Sequence, residues 1–447
     1  MRAMTSRFGV GAARLVAVHA LLAGVVIGTL ETIHAQSFSR IDRERVRTML
    51  NGIRNEVRKK YFDSNFRGLD IETHFRAAGA KLEGATSLGQ AYGIVAQALL
   101  DLNDSHTYFI PPARPMRVEY GWRSLVVGDR CFVAAVKPGS DAEAKGLKPG
   151  DLVFTVQGFA TDRSELWKLD YLLYALRPAL SVRLVVRSPG GQPRQLDIAS
   201  RVTEGKRVVD LTGASETDID HLIRQMEGAT PRHRFQKLEG VVIWQMPEFD
   251  LSPEEVDAVM DDHVRGADAL ILDLRGNPGG YVSTLERVVS RVFDREVKIA
   301  DRKGRSELKP IVARKRRGSH FGGQIVVLVD SSTRSAAELF ARLMQIEKRG
   351  VVIGDRSSGA VMQAEIFDGK IGADVVVLYG ASITTADVIM TDGGSLEGIG
   401  VTPDELLLPT PEDLAARRDP VLARAAALAG VKLDPEAAGK LFPIEWR

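Results

Sequence analysis

The run Gln324-Ile325-Val326-Val327-Leu328-Val329-Asp330 constrains the fold of this chain more than any other segment. Its consecutive aliphatic residues, mostly β-branched, offer no polar face to water, so they read as a strand buried on both sides. A polar turn, Ser331-Ser332-Thr333-Arg334-Ser335, follows, and 336–347 then has the apolar spacing of a helix. The same alternation recurs from about residue 204, with strands expected at 240–245, 269–274, 324–329, 351–354 and 374–379 and helices at 253–264, 282–293 and 336–347. Strands alternating with helices predict a layered α/β core. No internal repeat or low-complexity tract interrupts it.

Turns between strand and helix are where such a core could carry chemistry. Ser335 lies at one, beside the unpaired N–H groups and positive dipole end of the following helix. Its hydroxyl either faces a cleft as a nucleophile or only caps the helix, as serine often does. A second strand ends in Leu272-Asp273-Leu274-Arg275-Gly276-Asn277-Pro278-Gly279-Gly280-Tyr281, where paired glycines permit either a close approach to substrate or a tight turn. No lysine follows in Walker spacing, which disfavours phosphate binding.

Upstream the pattern differs. Val46, Leu50, Ile53, Val57, Ile94 and Ala98 recur at helical spacing, and the last helix delivers Asn103-Asp104-Ser105-His106-Thr107 into a loop before Pro111-Pro112. Between about 118 and 202 short strands (131–136, 151–156, 182–186, 195–198) are split by glycine and proline turns, with one helix near 164–175. This middle segment resembles a PDZ domain of the bacterial protease type, whose Gly146-Leu147-Lys148-Pro149-Gly150-Asp151 turn it holds intact. The resemblance implies capture of a peptide as an added strand. Gly121, Trp122, Arg123 and Ser124 sit where the carboxylate-binding loop belongs, although they depart from its usual glycine-hydrophobic pattern; packing alone is the other reading.

Charge and targeting bound the partners. Arg2, Arg7 and Arg14 precede an apolar run at 15–30, and Ala35 offers a small residue before Gln36, the layout of a secretory leader or of an uncleaved anchor. Without residues 1–35 the chain has 57 basic and 57 acidic residues, so nucleic acid is not an expected partner. The basic stretch at 302–317 is a solvated loop or a contact to an anionic envelope surface. A lone cysteine, Cys131, excludes an internal disulfide and a cysteine-built zinc site, and no metal or organic cofactor is expected. Periplasmic or extracellular residence follows from the leader, and oligomeric state stays open.

Serine needs a base within reach to act as a nucleophile. Among the histidines, His106 alone stands in a loop flanked by hydroxyls. The strand-Asp273-Leu-Arg-Gly-Asn-Pro-Gly-Gly segment, Ser335-Ala-Ala-Glu338 at a helix start, and Val352-Ile-Gly-Asp-Arg-Ser-Ser-Gly359 together resemble the tail-specific, or C-terminal processing, serine proteases. The resemblance covers nearly the whole chain after the leader and implies a multidomain α/β protein. Its expected parts are a leader at 1–35, an N-terminal helical domain at 36–112, an inserted PDZ domain at 113–203, a crotonase-like core of β-β-α units at 204–410 and a helical extension at 411–447.

Many members of that family pair the serine with a lysine twenty-five positions later, where this chain has Ala360. The departure leaves two readings. One is an inactive protease-fold scaffold that binds protein C-termini. The other is the branch similar to the tricorn protease core, with which Ser105-His106 and the Leu396-Glu397-Gly-Ile-Gly segment agree. The second implies that His106 takes the Ser335 proton, Ser105 orients the imidazole, Glu397 accepts from Ser105, and N–H groups of Gly279 or Gly280 and of Ala336 form an oxyanion hole. Polypeptides would be the substrates. A crotonase-type acyl-CoA enzyme is a more distant reading, against which the leader argues because coenzyme A is a cytoplasmic cofactor.

Overall fold

The computed structural model describes residues 38–114, 116–204, 232–315, 320–372 and 376–446. The expected leader, and Arg316 and Arg317 of the basic stretch, lie outside these residues.

The expected α/β core is present. Its central sheet runs Arg234–Leu238, Val241–Gln245, Ala269–Asp273, Gln324–Val329, Val351–Gly354 and Glu405–Leu406. The first pair is antiparallel and the others are parallel. Side chains alternate between two cores. Leu270, Leu272, Ile325, Val327 and Val329 pack with the helices Pro253–Val259, Val282–Val292 and Ala336–Ile346. Ala269, Ile271, Val326 and Leu328 face the helices Pro420–Leu428 and Pro435–Leu441. Burial on both faces is what a continuous aliphatic strand requires.

Parallel register has a functional consequence. Ala269–Asp273 and Gln324–Val329 end at the same sheet edge, where the Leu274 N–H still donates to the Leu328 carbonyl at 3.0 Å. The glycine-rich turn and the turn to Ser335 therefore leave the sheet side by side, the usual place for a site in such folds.

A second sheet brings in the N-terminal segment. Its long strand, Val377–Met390, pairs antiparallel on one edge with Met362–Ile371 and on the other with both Val297–Lys303 and Tyr108–Ile110, the latter in the register Tyr108↔Ser382 and Ile110↔Gly380. The helices Arg40–Lys60, Ile71–Glu83 and Leu88–Leu100 start at Ser39, Asp70 and Ser87, whose side chains accept from N3 amides. Val46, Leu50, Ile53 and Val57 share one helix face and pack with Leu99, Phe109, Ala381 and Ile383. The strand at 377–390 thus runs well past the expected 374–379, and its hairpin partner, together with Val297–Lys303 and Leu308–Ala313, was not anticipated.

Residues between these parts form an antiparallel sheet in the order Trp122–Val127, Arg130–Val136, Leu152–Val156, Ser181–Arg187 and Arg194–Ala199. Met116–Glu119 pairs with Arg201–Glu204, so the chain enters and leaves this unit through adjacent strands. One expectation is corrected here. Trp122, Arg123 and Ser124 are not in a loop: they open the edge strand, with Trp122↔Val136 and Arg123↔Ala135 in register, and only Gly121 stands at the turn. Residues with alternate cross-strand neighbours available extend as strand rather than coil back as a loop.

Leu272→Ala should lower the urea unfolding free energy by about 2 to 5 kcal/mol, because it opens a cavity in a fully buried layer. Ile366→Ala, at a half-exposed strand position, should change it by no more than about 0.5 kcal/mol. Equal effects of the two would refute the burial assignment.

Candidate active site

Ser335 closes the turn after Gln324–Val329 at φ 52°, ψ −121°, a conformation that costs a non-glycine residue on the order of 1 to 3 kcal/mol. The turn is fastened on each side. The Arg334 N–H donates to the Asn277 carbonyl at 2.8 Å, and the Ser335 N–H donates to the Ala360 carbonyl at 2.9 Å. The Glu338 N–H goes to the Ser335 carbonyl at 2.9 Å, and Ser335 and Glu338 hold the capping-box positions of this helix. The hydroxyl thus sits at a strained strand-to-helix turn, and a cap, in which it only accepts, leaves its proton available.

Glu338, one helical turn later, is fully buried. Its carboxylate accepts from the Ser357 hydroxyl at 2.5 Å and from the N–H groups of Gly359, Ala360 and Ser335 at 2.7, 3.0 and 3.1 Å. Burial pushes its pKa up to about 7 while these donors pull it down. The sequence displayed this glutamate only as a motif letter; its position at N3 of a helix is the signal for a residue that reaches back.

His106 reaches the site by a different route. Asn103 turns at φ 55° after the helix Leu88–Leu100. Asp104 then accepts from the His106 and Thr107 N–H groups at 2.9 and 2.8 Å, from the Thr384 hydroxyl at 2.6 Å and from the Tyr61 hydroxyl at 2.9 Å. Asp104 stood inside the quoted motif without an assigned role. Its function is to fold the loop over the Val377–Met390 strand.

Ser105, His106 and Glu397 form a continuous chain. Ser105 Oγ lies 2.7 Å from His106 Nδ1 and donates to Glu397 Oε2 at 2.8 Å, and the Ser105 N–H donates to Glu397 Oε1 at 2.8 Å. A serine has one hydroxyl proton. Donated to Glu397, it leaves Ser105 Oγ to accept from Nδ1–H, and the Nε2 lone pair is then free. Burial pushes the His106 pKa down to about 4; Asp104 opposes that shift and Arg334 adds to it. Burial also raises the Glu397 pKa, against the hydrogen bonds from Val361 and Ser105. Desolvation thus takes this imidazole below the ordinary histidine value.

One peptide group joins the two halves. The Ala360 carbonyl accepts from the Ser335 N–H, and the N–H of the same peptide unit, on Val361, donates to Glu397 Oε2 at 2.8 Å. Ser335 Oγ and His106 Nε2 are not hydrogen-bonded to each other in this state, a common condition of an uncomplexed site. Ala360, at the place of the family lysine, is buried and works through its backbone.

Gly279 packs on the serine: a methyl group there would lie 2.6 Å from Ser335 Cβ. Its N–H, however, donates to the Asn277 side chain at 2.8 Å, so of the two glycines it is Gly280 whose N–H has no hydrogen-bond acceptor among the described residues. Phe249 brackets Gly280, donating to the Gly279 carbonyl and accepting from the Tyr281 N–H. Trp122, Arg123 and Ser124 lie on the edge strand of the inserted sheet and Gly121 at the turn before it; Ser124 borders the cavity that opens toward the serine turn, and the Arg123 side chain donates to the Glu445 carbonyl. Among the described residues no group of three or more His, Cys, Asp or Glu side chains could hold a metal ion, and no helix is long and apolar enough to cross a membrane.

Known proteins resemble this chain in sequence and in fold. Residues 240–407 match Peptidase family S41. The chain is 26% identical over 374 residues to the "C-terminal processing peptidase, chloroplastic" of Tetradesmus obliquus, covering 80% of this chain and 77% of that protein. It is 24% identical over 331 residues to the "Carboxyl-terminal-processing protease" of Picosynechococcus sp., covering 71% and 73%. Mature CPAF, a solved structure, shares the fold with a TM-score of 0.61 at 16% identity, over 83% of this chain and 94% of that one. A serine-type peptidase is the class that this core and its relatives define. Within that class, the 240–407 segment matches family S41, and the chain is similar to the C-terminal processing and tail-specific proteases.

Glu338→Gln would set an amide NH2 against N–H donors. We expect a loss of roughly 1 to 3 kcal/mol in unfolding free energy and slower fluorophosphonate labelling of Ser335. Unchanged labelling would show that the carboxylate does not hold the serine turn.

Proposed function

We propose that this chain is an exported serine endopeptidase in which Ser335 is the nucleophile, His106 the general base and acid, and Ser105 and Glu397 the groups that orient and support the imidazole. What carries the reading is the peptide unit that ties the Ser335 backbone to Glu397, and through Ser105 to His106. In the reaction His106 Nε2 takes the Ser335 proton as Oγ attacks the scissile carbonyl. The N–H groups of Gly280 and Ala336 face the developing oxyanion, a donor of this kind being worth about 2.7 to 4 kcal/mol. His106 then protonates the leaving amine, and water, activated by the same imidazole, releases the acyl group. Ser105 fixes the tautomer, and Glu397 lowers the energy of the imidazolium that forms.

The units at 36–112, 113–203, 204–410 and 411–447 are read as a helical domain, a PDZ domain, a crotonase-like core and a helical extension. The PDZ reading is supported by an edge strand, Trp122–Val127, bonded on one side only within its sheet, near the helix Leu166–Asp170. A substrate tail would add there as a strand. Unstructured C-terminal tails are thus the proposed substrates, and the leader reading places the enzyme outside the cytoplasm. The scaffold alternative is not favoured, because a histidine relay replaces the missing lysine.

Hydrolysis of a denatured protein substrate by the wild type should fall by roughly a thousandfold or more in Ser335→Ala and in His106→Ala; full activity of His106→Ala would reject the base. Because burial lowers the His106 pKa to about 4, the imidazole is neutral at pH values where a free histidine is charged. The acid limb of kcat/KM should therefore lie below pH 6.5, toward 4. The same shift carries a stability sign. The folded state binds fewer protons at this group than the unfolded one, so its contribution is complete above pH 6.5 and disappears as pH falls toward 4. The difference in unfolding free energy between wild type and His106→Asn should change across that window, and a flat difference would contradict the burial argument.

A further inference from the structure

A cavity of about 420 Å³ lies between the inserted sheet and the core. One wall is the Trp122–Val127 edge strand and the helix Leu166–Asp170; the other is the serine turn, the 356–358 loop and Ile399. The cavity therefore runs from the strand proposed to receive a substrate tail to the residue before the nucleophile.

Six charged residues line it, Asp129, Asp162, Arg163, Asp170, Arg334 and Arg356; of the three arginines, Arg163 pairs with Asp355 and Arg356 with Asp129, which leaves Arg334 to be accounted for, with Asp170 across from it. Arg334 adjoins Ser335 in sequence, and its backbone is fixed by Asn277. No hydrogen bond or ion pair engages its guanidinium among the described residues, although Glu338, Asp170 and Tyr108 act on it through space. Asp170 likewise has no hydrogen-bond donor there. Asp170 is exposed, whereas Arg334 is half-buried, and a charged side chain withdrawn from water seldom stays unpaired. A guanidinium with a free planar fork, open to a cavity rather than to bulk water, is built to take a carboxylate with two parallel hydrogen bonds.

We propose that Arg334 is a specificity-determining residue that binds a carboxylate of the substrate on the C-terminal side of the scissile bond, with Asp170 limiting its strength. The inference rests on the peptidase reading above, and the direction follows from it. If the edge strand holds the tail, the segment crossing the cavity is the one between the cut and the C-terminus. The carboxylate is either an Asp or Glu side chain or the chain terminus of a short tail. Asp170 opposes the same negative charge, so its removal strengthens the preference.

The test uses the full chain and a library of synthetic decapeptides with free C-termini, a matched library with amidated C-termini, and mass-spectrometric reading of cut sites. An acidic residue enriched at one fixed position after the cut, or cleavage confined to free C-termini, is expected, and the two results distinguish side chain from terminus. For the best-cut peptide, replacing that carboxylate by its amide should lower kcat/KM roughly tenfold in the wild type, as for loss of a charge-assisted pair. That ratio should approach one in Arg334→Gln, stay intermediate in Arg334→Lys, and grow in Asp170→Asn. A wild type indifferent to carboxylates, or an Arg334→Gln enzyme that keeps the ratio, overturns the proposal. Fluorophosphonate labelling of Ser335 separates the two levels: labelling without a carboxylate preference sinks only the subsite, and absence of both labelling and cleavage sinks the peptidase reading. In that event, fluorescence anisotropy of the acid and amide forms of one labelled library decapeptide, with Ser335→Ala protein, still decides. Equal affinities reject Arg334 as a carboxylate reader, and tighter binding of the acid form, abolished by a further Arg334→Gln change, supports it.

Discussion

The site depends on a buried carboxylate and one peptide group. Glu338 collects donors from the 357–360 loop and from Ser335 itself, and so fixes the distance between the serine turn and that loop. The 360–361 peptide then has its carbonyl on Ser335 and its N–H on Glu397. Without Glu338 this loop would carry N–H groups with no acceptor in a place closed to water, which is unfavourable by more than a single net hydrogen bond. The carboxylate acts as a template: it fills the place of a water cluster with fixed acceptors, and the strained Ser335 backbone is held because its neighbours are over-determined.

The two sheets contribute unequal things to the site. The parallel sheet supplies rigidity, since Asp273 and Val329 end strands that are buried from both faces. It sets Gly280 and the helix start at Ala336 side by side, where unpartnered N–H groups can converge on one oxygen. The antiparallel sheet carries the proposed base. Tyr108–Ile110 pairs with the Val377–Met390 strand, and Thr107 and Thr384 exchange hydrogen bonds at its margin. His106 thereby arrives from a distant part of the chain with its ring orientation set by Ser105 and its backbone set by Asp104.

Much of this was legible in sequence for identifiable reasons. The strand at 324–329 and the helix beginning at Ala336 emerged because an aliphatic run and a 3.6-residue period are strong local signals. Ser105, His106 and Glu397 were legible only through motif resemblance, and they do meet through hydrogen bonds. The long strand at 377–390 was not legible in full, because its residues Ser382, Thr384 and Thr385 break any alternation; their polar groups are satisfied by partners far off in sequence. Trp122 to Ser124 were misread as a loop because glycine at 121 dominates a short window, whereas pairing with Arg130–Val136 is a tertiary fact. The His106 shift was out of reach for the same reason: desolvation is a property of the assembled site, and the sequence offers only an ordinary imidazole.

The replacement of the family lysine by Ala360 acquires a physical meaning from these contacts. A lysine base must be neutral to accept a proton, so its site has to desolvate an ammonium that lies next to the nucleophile. Here the same position contributes only a carbonyl and an N–H, and the proposed base is a histidine of the 104–107 loop that desolvation keeps neutral. The arrangement ties chemistry to tertiary completion. A base encoded twenty-five residues after the serine would be present as soon as the core folds. A base carried on the N-terminal segment is in place only once Tyr108–Ile110 has joined the second sheet and Glu397 has closed on Ser105. Correct assembly of parts far apart in the chain is thus a condition for the proposed base to come near Ser335.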